Sequence, residues 1–272
     1  MIVEANGGIS IISAFVNGHG AAAALKLPMQ TEITPTDQDS FPSTEIGKLV
    51  DYIRNIYKIS GNYSISIRSE IPPGMGLKSS SALAISVVFG LLKMNSINFT
   101  DNEILRNAAR ASIYNNTSVT GAMDDLAMSY YGGYCLTDNG NFRLLSRHEL
   151  EEDFVLICTG KDTVESINLK KKDFSPYINF YNRLEDNLKA GRVYETMVLN
   201  GLIFDDGNDS KAVKTILATG AFLAGRSGKG PAIFGLYKSE EHIDRASKLL
   251  LSDGYSIIKS RFNNRGIHIS EP

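Results

Sequence analysis

Apolar residues recur along the chain with two periods, and the change from one to the other marks out the elements. The segments "ISIISAFV" (9–16) and "AAAALKLPMQTEITPT" (21–36) run apolar or alternate with β-branched residues, which predicts strands. Between Ser43 and Ile59, the positions Ile46, Leu49, Val50, Ile53 and Ile56 fall at helical spacing. "NYSISIRSEIP" (62–72) alternates with period two and stops at Pro72 and Pro73. A glycine-rich turn follows, and an apolar helix begins among Ser79, Ser80 and Ser81. Thr100 with Glu103 three residues on is a capping-box signature for a helix through Tyr114. "TGAMDDLAMSYYGG" (120–133) reads as a short helix closed by Gly132 and Gly133. "GYCLT", "DNGN" and "FRLL" (133–145) predict a hairpin.

The pattern changes at the strand "DFVLICTG" (153–160). A polar segment follows, then helices around Pro176–Ala190, Arg192–Phe204 and Ser210–Leu217. "PAIFGLYK" (231–238) is a strand, and "SEEHIDRASKLLLSDG" (239–254) is an amphipathic helix stopped by Gly254. "YSIIKSRF", "NNRG" and "IHIS" (255–270) predict a closing hairpin. This mixed order points to an α+β architecture, not to the strict alternation of a doubly wound sheet. The change near residue 150 predicts two domains, 1–150 and 151–272.

Composition narrows the function classes. The 272 residues, 43% of them hydrophobic, can bury one large core or two modest ones. A net charge of −2 gives no global basic field, so no nucleic-acid partner is expected, and the run Lys170–Lys172 reads as a solvated face. Cys135 and Cys158 sit in apolar segments as buried thiols, and the four histidines lack zinc-ligand spacing. No apolar run reaches the ~18 residues of a membrane span, and "MIVEANGG" has no signal-peptide character, so a cytoplasmic protein without membrane partner is expected. Nothing here speaks to oligomeric state.

The chemistry concentrates in "PPGMGLKSSSA" (72–82). Gly74 and Gly76 allow a sharp turn and close backbone approach. The exposed amides and positive dipole end of the following helix suit an anion such as phosphate. Ser79, Ser80 and Ser81 add hydroxyls, and Lys78 adds a compact charge. A helix cap accounts for one serine, not for three beside a lysine. A Walker A loop would need glycine where Leu77 stands, and a hydrolase elbow would need glycine on both sides of the serine.

"PPGMGLKSSSA" resembles the second motif of the GHMP kinases, P-x-x-x-G-L-G-S-S-A, through Pro72, Gly76, Leu77, Ser79, Ser80 and Ala82, with one extra serine. Lys78 replaces the usual glycine, and in this "GLKSSSA" is similar to the archaeal-type shikimate kinase branch. Further resemblances follow in the family's order: "ANGG" with Asn6 in the proline place, "NGHGAAAAL" (17–25), G-x-x-D at Gly121–Asp124, and "SGKGPA" (227–232). The resemblance implies a ribosomal-protein-like N-terminal domain and a ferredoxin-like C-terminal domain. It implies ATP on Pro73, Gly74, Met75, Gly76, Leu77, Lys78, Ser79, Ser80 and Ser81, with Gly228 and Gly230 packed against that loop. It implies Mg²⁺ at Ser80, with Ile113 where some members carry a metal-binding glutamate. Lys78 and Asp124 would be the catalytic pair, Asp124 taking the acceptor's proton, while Asp125 reads as a solvated neighbour. Asn17, Gly18, His19 and Gly20 would lie near the acceptor, or form an ordinary turn between strands. The implied acceptor is the 3-hydroxyl of shikimate. Its carboxylate would need a cation, for which Arg68, Lys161, Arg226 and Lys229 are available. Homoserine or mevalonate as acceptor, and a nucleotide sensor without turnover, are the alternatives.

Overall fold

The computed structural model describes residues 1–160, 173–204 and 209–270. Its elements run β1 (Ile2–Ile12), β2 (His19–Thr36), α1 (Thr44–Tyr57), β3 (Asn62–Ser69), α2 (Ser79–Met94), α3 (Asp101–Tyr114), α4 (Met123–Tyr131), β4 (Tyr134–Asp138), β5 (Arg143–His148), β6 (Phe154–Thr159), α5 (Ile178–Lys189), α6 (Val193–Leu202), α7 (Ser210–Ala218), β7 (Leu223–Arg226), β8 (Ile233–Tyr237), α8 (Glu240–Ser252), β9 (Ser256–Arg261) and β10 (His268–Ser270).

Two antiparallel sheets organise them. The first has the order β10-β1-β2-β4-β5, and β3 also pairs with β2. β2 serves two partners along its length: residues 19–23 pair with β4 and residues 29–36 with β3. The second sheet has the order β7-β8-β6-β9.

Local sequence explains how the helices seat. α2 is apolar around most of its circumference, and it is buried through Ser81, Ala82 and Ala84–Leu92 as the central helix. The buried Ser86 hydroxyl is satisfied twice, by Thr31 Oγ1 at 2.7 Å and by donating to the Leu83 carbonyl at 2.9 Å. Ala21–Ala24 of β2 are fully buried, and these short side chains let α4 lie close to the sheet. The capping box at Thr100 and Glu103 starts α3 as the sequence predicts.

The second sheet divides its faces by strand alternation. Val155, Ile157, Phe234 and Leu236 join the core shared with the first sheet. Leu156, Cys158, Ile233 and Tyr237 face a smaller core under α7 and α8. Cys135 and Cys158 are both buried free thiols.

Three expectations change. β1 begins at Ile2 and ends at Ile12, and residues 14–17 form turns because the chain must reverse there into β2. β7, only four residues long and containing Gly225, carries too short a period to be read in advance. The closing hairpin does not form. β9 pairs with β6, whereas β10 crosses to pair with β1 of the first sheet. The C-terminal strand therefore belongs to the sheet built by the N-terminal half.

Candidate active site

The turn between β3 and α2 brings the predicted motif to the wall of a cleft. Gly74 and Gly76 take φ of 74° and 73°. Lys78 is the N-cap of α2, itself left-handed at φ 69°, with no capping hydrogen bond from its side chain. A residue with a Cβ is disfavoured there by ~1–2 kcal/mol, which explains why glycine is usual at this motif position. The first amide of the helix that the chain itself satisfies is that of Ser81, to the Lys78 carbonyl at 3.1 Å. The serines therefore do not act as caps, and the positive end of α2 is left to a ligand. The cleft has a cavity volume of about 180 Å³, and Gly74, Gly76, Lys78 and all three serines line it.

Asp124 and Asp125, in the first turn of α4, line the same cleft. Lys78 Nζ donates to Ser10 Oγ at 2.7 Å and stands 3.0 Å from Asp125 Oδ1. That charge contact is out of hydrogen-bond alignment, so Asp125 Oδ1 is buried without a donor. Asp125 is thus the lysine's counter-ion, not the solvated neighbour expected. Asp124 is only 6% exposed and accepts from Asn139 Nδ2 at 2.9 Å. Burial, then the Asp125 charge, push its carboxyl up to about 7, against the opposing pull of Lys78 and Asn139. A carboxylate poised near neutrality beside a lysine is suited to taking a proton from a hydroxyl.

The glycine turn 227–230 closes the cleft from the second sheet. Ser227 Oγ accepts from the Ser10 amide at 3.1 Å. A Cβ on Gly228 would lie 2.9 Å from Ser10 Oγ, and one on Gly76 would lie 2.8 Å from the Gly230 carbonyl. Gly230 therefore packs against the loop and Gly228 against Ser10 and Ser13, and neither lines the cleft. The amide of Gly8 donates to the Leu77 carbonyl, so "ANGG" also braces the loop.

Some placements differ from expectation. Leu77 is buried as an anchor, and Pro73 and Met75 also stand outside the lining, because the turn directs alternate residues away from the cleft. Of residues 17–20, Gly20 backs onto Asp124, whereas His19 Nδ1 meets Glu185 at 2.7 Å and Asn17 donates to Asn182, both on α5. Arg68 is exposed on β3, away from the cleft. Arg226 forms a buried ion pair with Asp209, Nη2 to Oδ1 at 3.0 Å, and also donates to the Lys229 carbonyl. Lys161 lies outside the described residues, as does the run Lys170–Lys172. Lys229 alone of the four candidates lines the cleft among the described residues, and burial, then Lys78, push it down to about 8.

No cluster of three or more acidic, histidine or cysteine side chains could hold a metal ion among the described residues, and Ile113 is part-exposed on α3. Ser80 lines the cleft with its hydroxyl committed to no described partner. One hydroxyl completed by phosphate oxygens and water suits Mg²⁺, which keeps much of its own shell. Asn139, Ser10 and Ser13 escape sequence reading because only the fold brings them here. The sole advance signal is that Ser10 and Ser13 follow the glycine pair of "ANGG".

A family model for the GHMP kinases N terminal domain matches residues 45–133. The chain is 37% identical to the shikimate kinase of Thermoplasma acidophilum over 268 residues, 97% of this chain and 96% of that one. The chain belongs to the GHMP kinase family. This kinase is also 30% identical to the shikimate kinase of Pyrococcus abyssi, over 89% of its own length and 93% of the relative's. Its two-domain fold matches that of the Methanococcus jannaschii mevalonate kinase, TM-score 0.76 at 16% identity over 96% of this chain and 98% of that one. It also matches the Cytophaga hutchinsonii homoserine kinase, TM-score 0.75 at 18% identity over 99% and 97%. These two likenesses concern the fold alone.

Proposed function

We propose that this kinase transfers the γ-phosphoryl group of ATP to the 3-hydroxyl of shikimate, giving shikimate 3-phosphate and ADP. The observation that carries the reading is the placement of Asp124 and the open end of α2 on one cleft wall. The full-length similarity to shikimate kinases supports the acceptor.

The ATP phosphates lie against the turn at Gly74–Ser81, where the first α2 amides and Lys78 offset charge building on the β–γ bridge. A second apolar hollow, lined by Ile46, Leu49, Leu83 and Ala84, shares Ser80, Ser112 and Thr117 with the cleft and takes the base. Ser80 is the residue that would hold Mg²⁺, which when bound would neutralise phosphate charge. Asp124 accepts the 3-hydroxyl proton as the new O–P bond forms and the bond to the β-phosphate oxygen breaks. Lys229 faces the acceptor carboxylate. The same reading puts the reaction in the cytoplasm, in chorismate and aromatic amino-acid biosynthesis.

The test is ADP release on adding shikimate, homoserine or mevalonate separately. Shikimate alone should support one ADP per acceptor phosphorylated. Turnover on another acceptor, or ATP binding with no transfer to any, overturns the reading.

A further inference from the structure

The Asp124 carboxylate is held from behind by a chain of buried polar groups that the motifs do not include. Asn139 follows β4 and is 3% exposed. Its Nδ2 donates to Asp124 Oδ1 at 2.9 Å and reaches Thr120 Oγ1 at 3.4 Å. Its Oδ1 accepts from the hydroxyl of Thr137, fully buried on β4, at 2.7 Å. Its backbone amide donates to the Gly18 carbonyl at 2.9 Å. Asn139 is the first turn residue after β4, and the turn brings its amide back to the Thr137 hydroxyl two places earlier.

This arrangement fixes which way the amide points. If it turned over, its oxygen would face the Asp124 carboxylate, and two acceptors would oppose each other. The Thr137 hydroxyl has two acceptors in reach, Asn139 Oδ1 at 2.7 Å and the Gly20 carbonyl at 3.3 Å, and donation to the nearer one leaves the amide nitrogen to Asp124. Asn139 is also the neutral donor on a carboxylate that otherwise faces Asp125 and Lys78 at the cleft. The remaining ionisable neighbours are Lys229 at the cleft wall and the Cys135 thiol on β4, whose pKa is raised by burial first and by the Asp124 charge to a lesser degree. On β2, His19 is turned to Glu185.

We propose that Asn139, oriented by Thr137, is a positioning residue for the phosphoryl-transfer step. It locks one oxygen of Asp124 so that the carboxylate meets the acceptor hydroxyl in a single orientation, and it favours the ionised form. This rests on Asp124 being the proton acceptor.

The test measures kcat/KM against pH for Asn139→Leu, with Asp124→Asn as reference. Asn139→Leu should lose about 10-fold or more near pH 6.5, and its acidic limb should move up by about one pH unit because the charged form has lost a donor. The loss should narrow toward pH 8.5, with the KM for ATP unchanged. A loss equal at every pH means a structural role only and overturns the proposal. Should Asn139→Leu not fold, Thr137→Val is expected to move the limb the same way by less, whereas Thr137→Ser keeps the wild-type profile. An unmoved limb in Thr137→Val, or equal shifts in both, also overturns it. An independent readout is the ¹³C carboxyl signal of labelled aspartate, Asp124 being assigned by its disappearance in Asp124→Asn. Full activity in Asp124→Asn would instead sink the functional reading itself.

Discussion

The backbone of Gly20 runs directly against the carboxyl group of Asp124. A Cβ at residue 20 would lie 2.6 Å from both Cγ and Oδ2 of Asp124. The strand can approach α4 this closely only because residue 20 has no side chain and Ala21–Ala24 have short ones. Gly20→Ala should therefore push the carboxylate out of line while the sheet still forms. Turnover is expected to fall by about 100-fold, the usual cost of a misplacement near 1 Å. Steady-state kinetics with a far-UV spectrum checks this; near-normal kcat would show that Asp124 tolerates displacement.

The raised pKa of Asp124 links activity and stability to pH with opposite signs. The ionised base is needed for transfer, so kcat/KM should climb with pH and level off beyond about 7. Folding behaves in the reverse sense. The folded carboxyl holds its proton up to about 7, while the unfolded one releases it near 3.8. Stability is therefore lost as pH rises through that window. Asp124→Asn should lower turnover by roughly 100-fold or more yet melt higher than the wild type at pH 8, by on the order of 1–3 kcal/mol. The gap should shrink toward pH 4, as followed by thermal melts across that range.

Lys78 and Asp125 act as a unit, so their losses should not add. Lys78→Ala is expected to reduce kcat by about 100-fold. Asp125→Asn, which frees the lysine from its counter-ion and leaves it held by Ser10, should reduce kcat by about 10-fold. The double variant should be no slower than Lys78→Ala alone. A double variant slower by the product of both factors would mean that Asp125 works independently.

Lys229 is expected to recognise negative charge on the acceptor. Lys229→Met should raise the KM for shikimate by about 10- to 100-fold, the range of a lost charge-assisted hydrogen bond. The KM for ATP should change by less than about 3-fold. Shikimate methyl ester provides the control, because wild type and variant should use it equally poorly.

The glycine-serine turn at the cleft was legible in advance because its pattern is local. Gly74, Gly76, Lys78 and the serines are contiguous, and a turn into a helix start is the one conformation that suits them all. The order of elements was legible for the same reason: each period lies within one segment. What stayed hidden depends on distant pairing. Asp125 and Asp124 look equivalent in sequence, and only the approach of α2 gives one of them a lysine while the fold beyond β4 gives the other an asparagine. The candidate cations likewise differ only in place. Arg226 is bound to Asp209, and Arg68 faces outward, but no local pattern distinguishes them from Lys229. The final strand was misassigned because a short apolar run after a turn carries no mark of which sheet it will join.

The pairing of β10 with β1 has a consequence for how the molecule is made. Residues Ile2–Glu4 leave the ribosome well before their neighbours, His268–Ser270, which lie more than 260 residues further along the chain. Over that interval the β1 edge has no partner on that side. Native assembly of that edge must wait for β10, which makes folding sensitive to the loss of His268–Ser270.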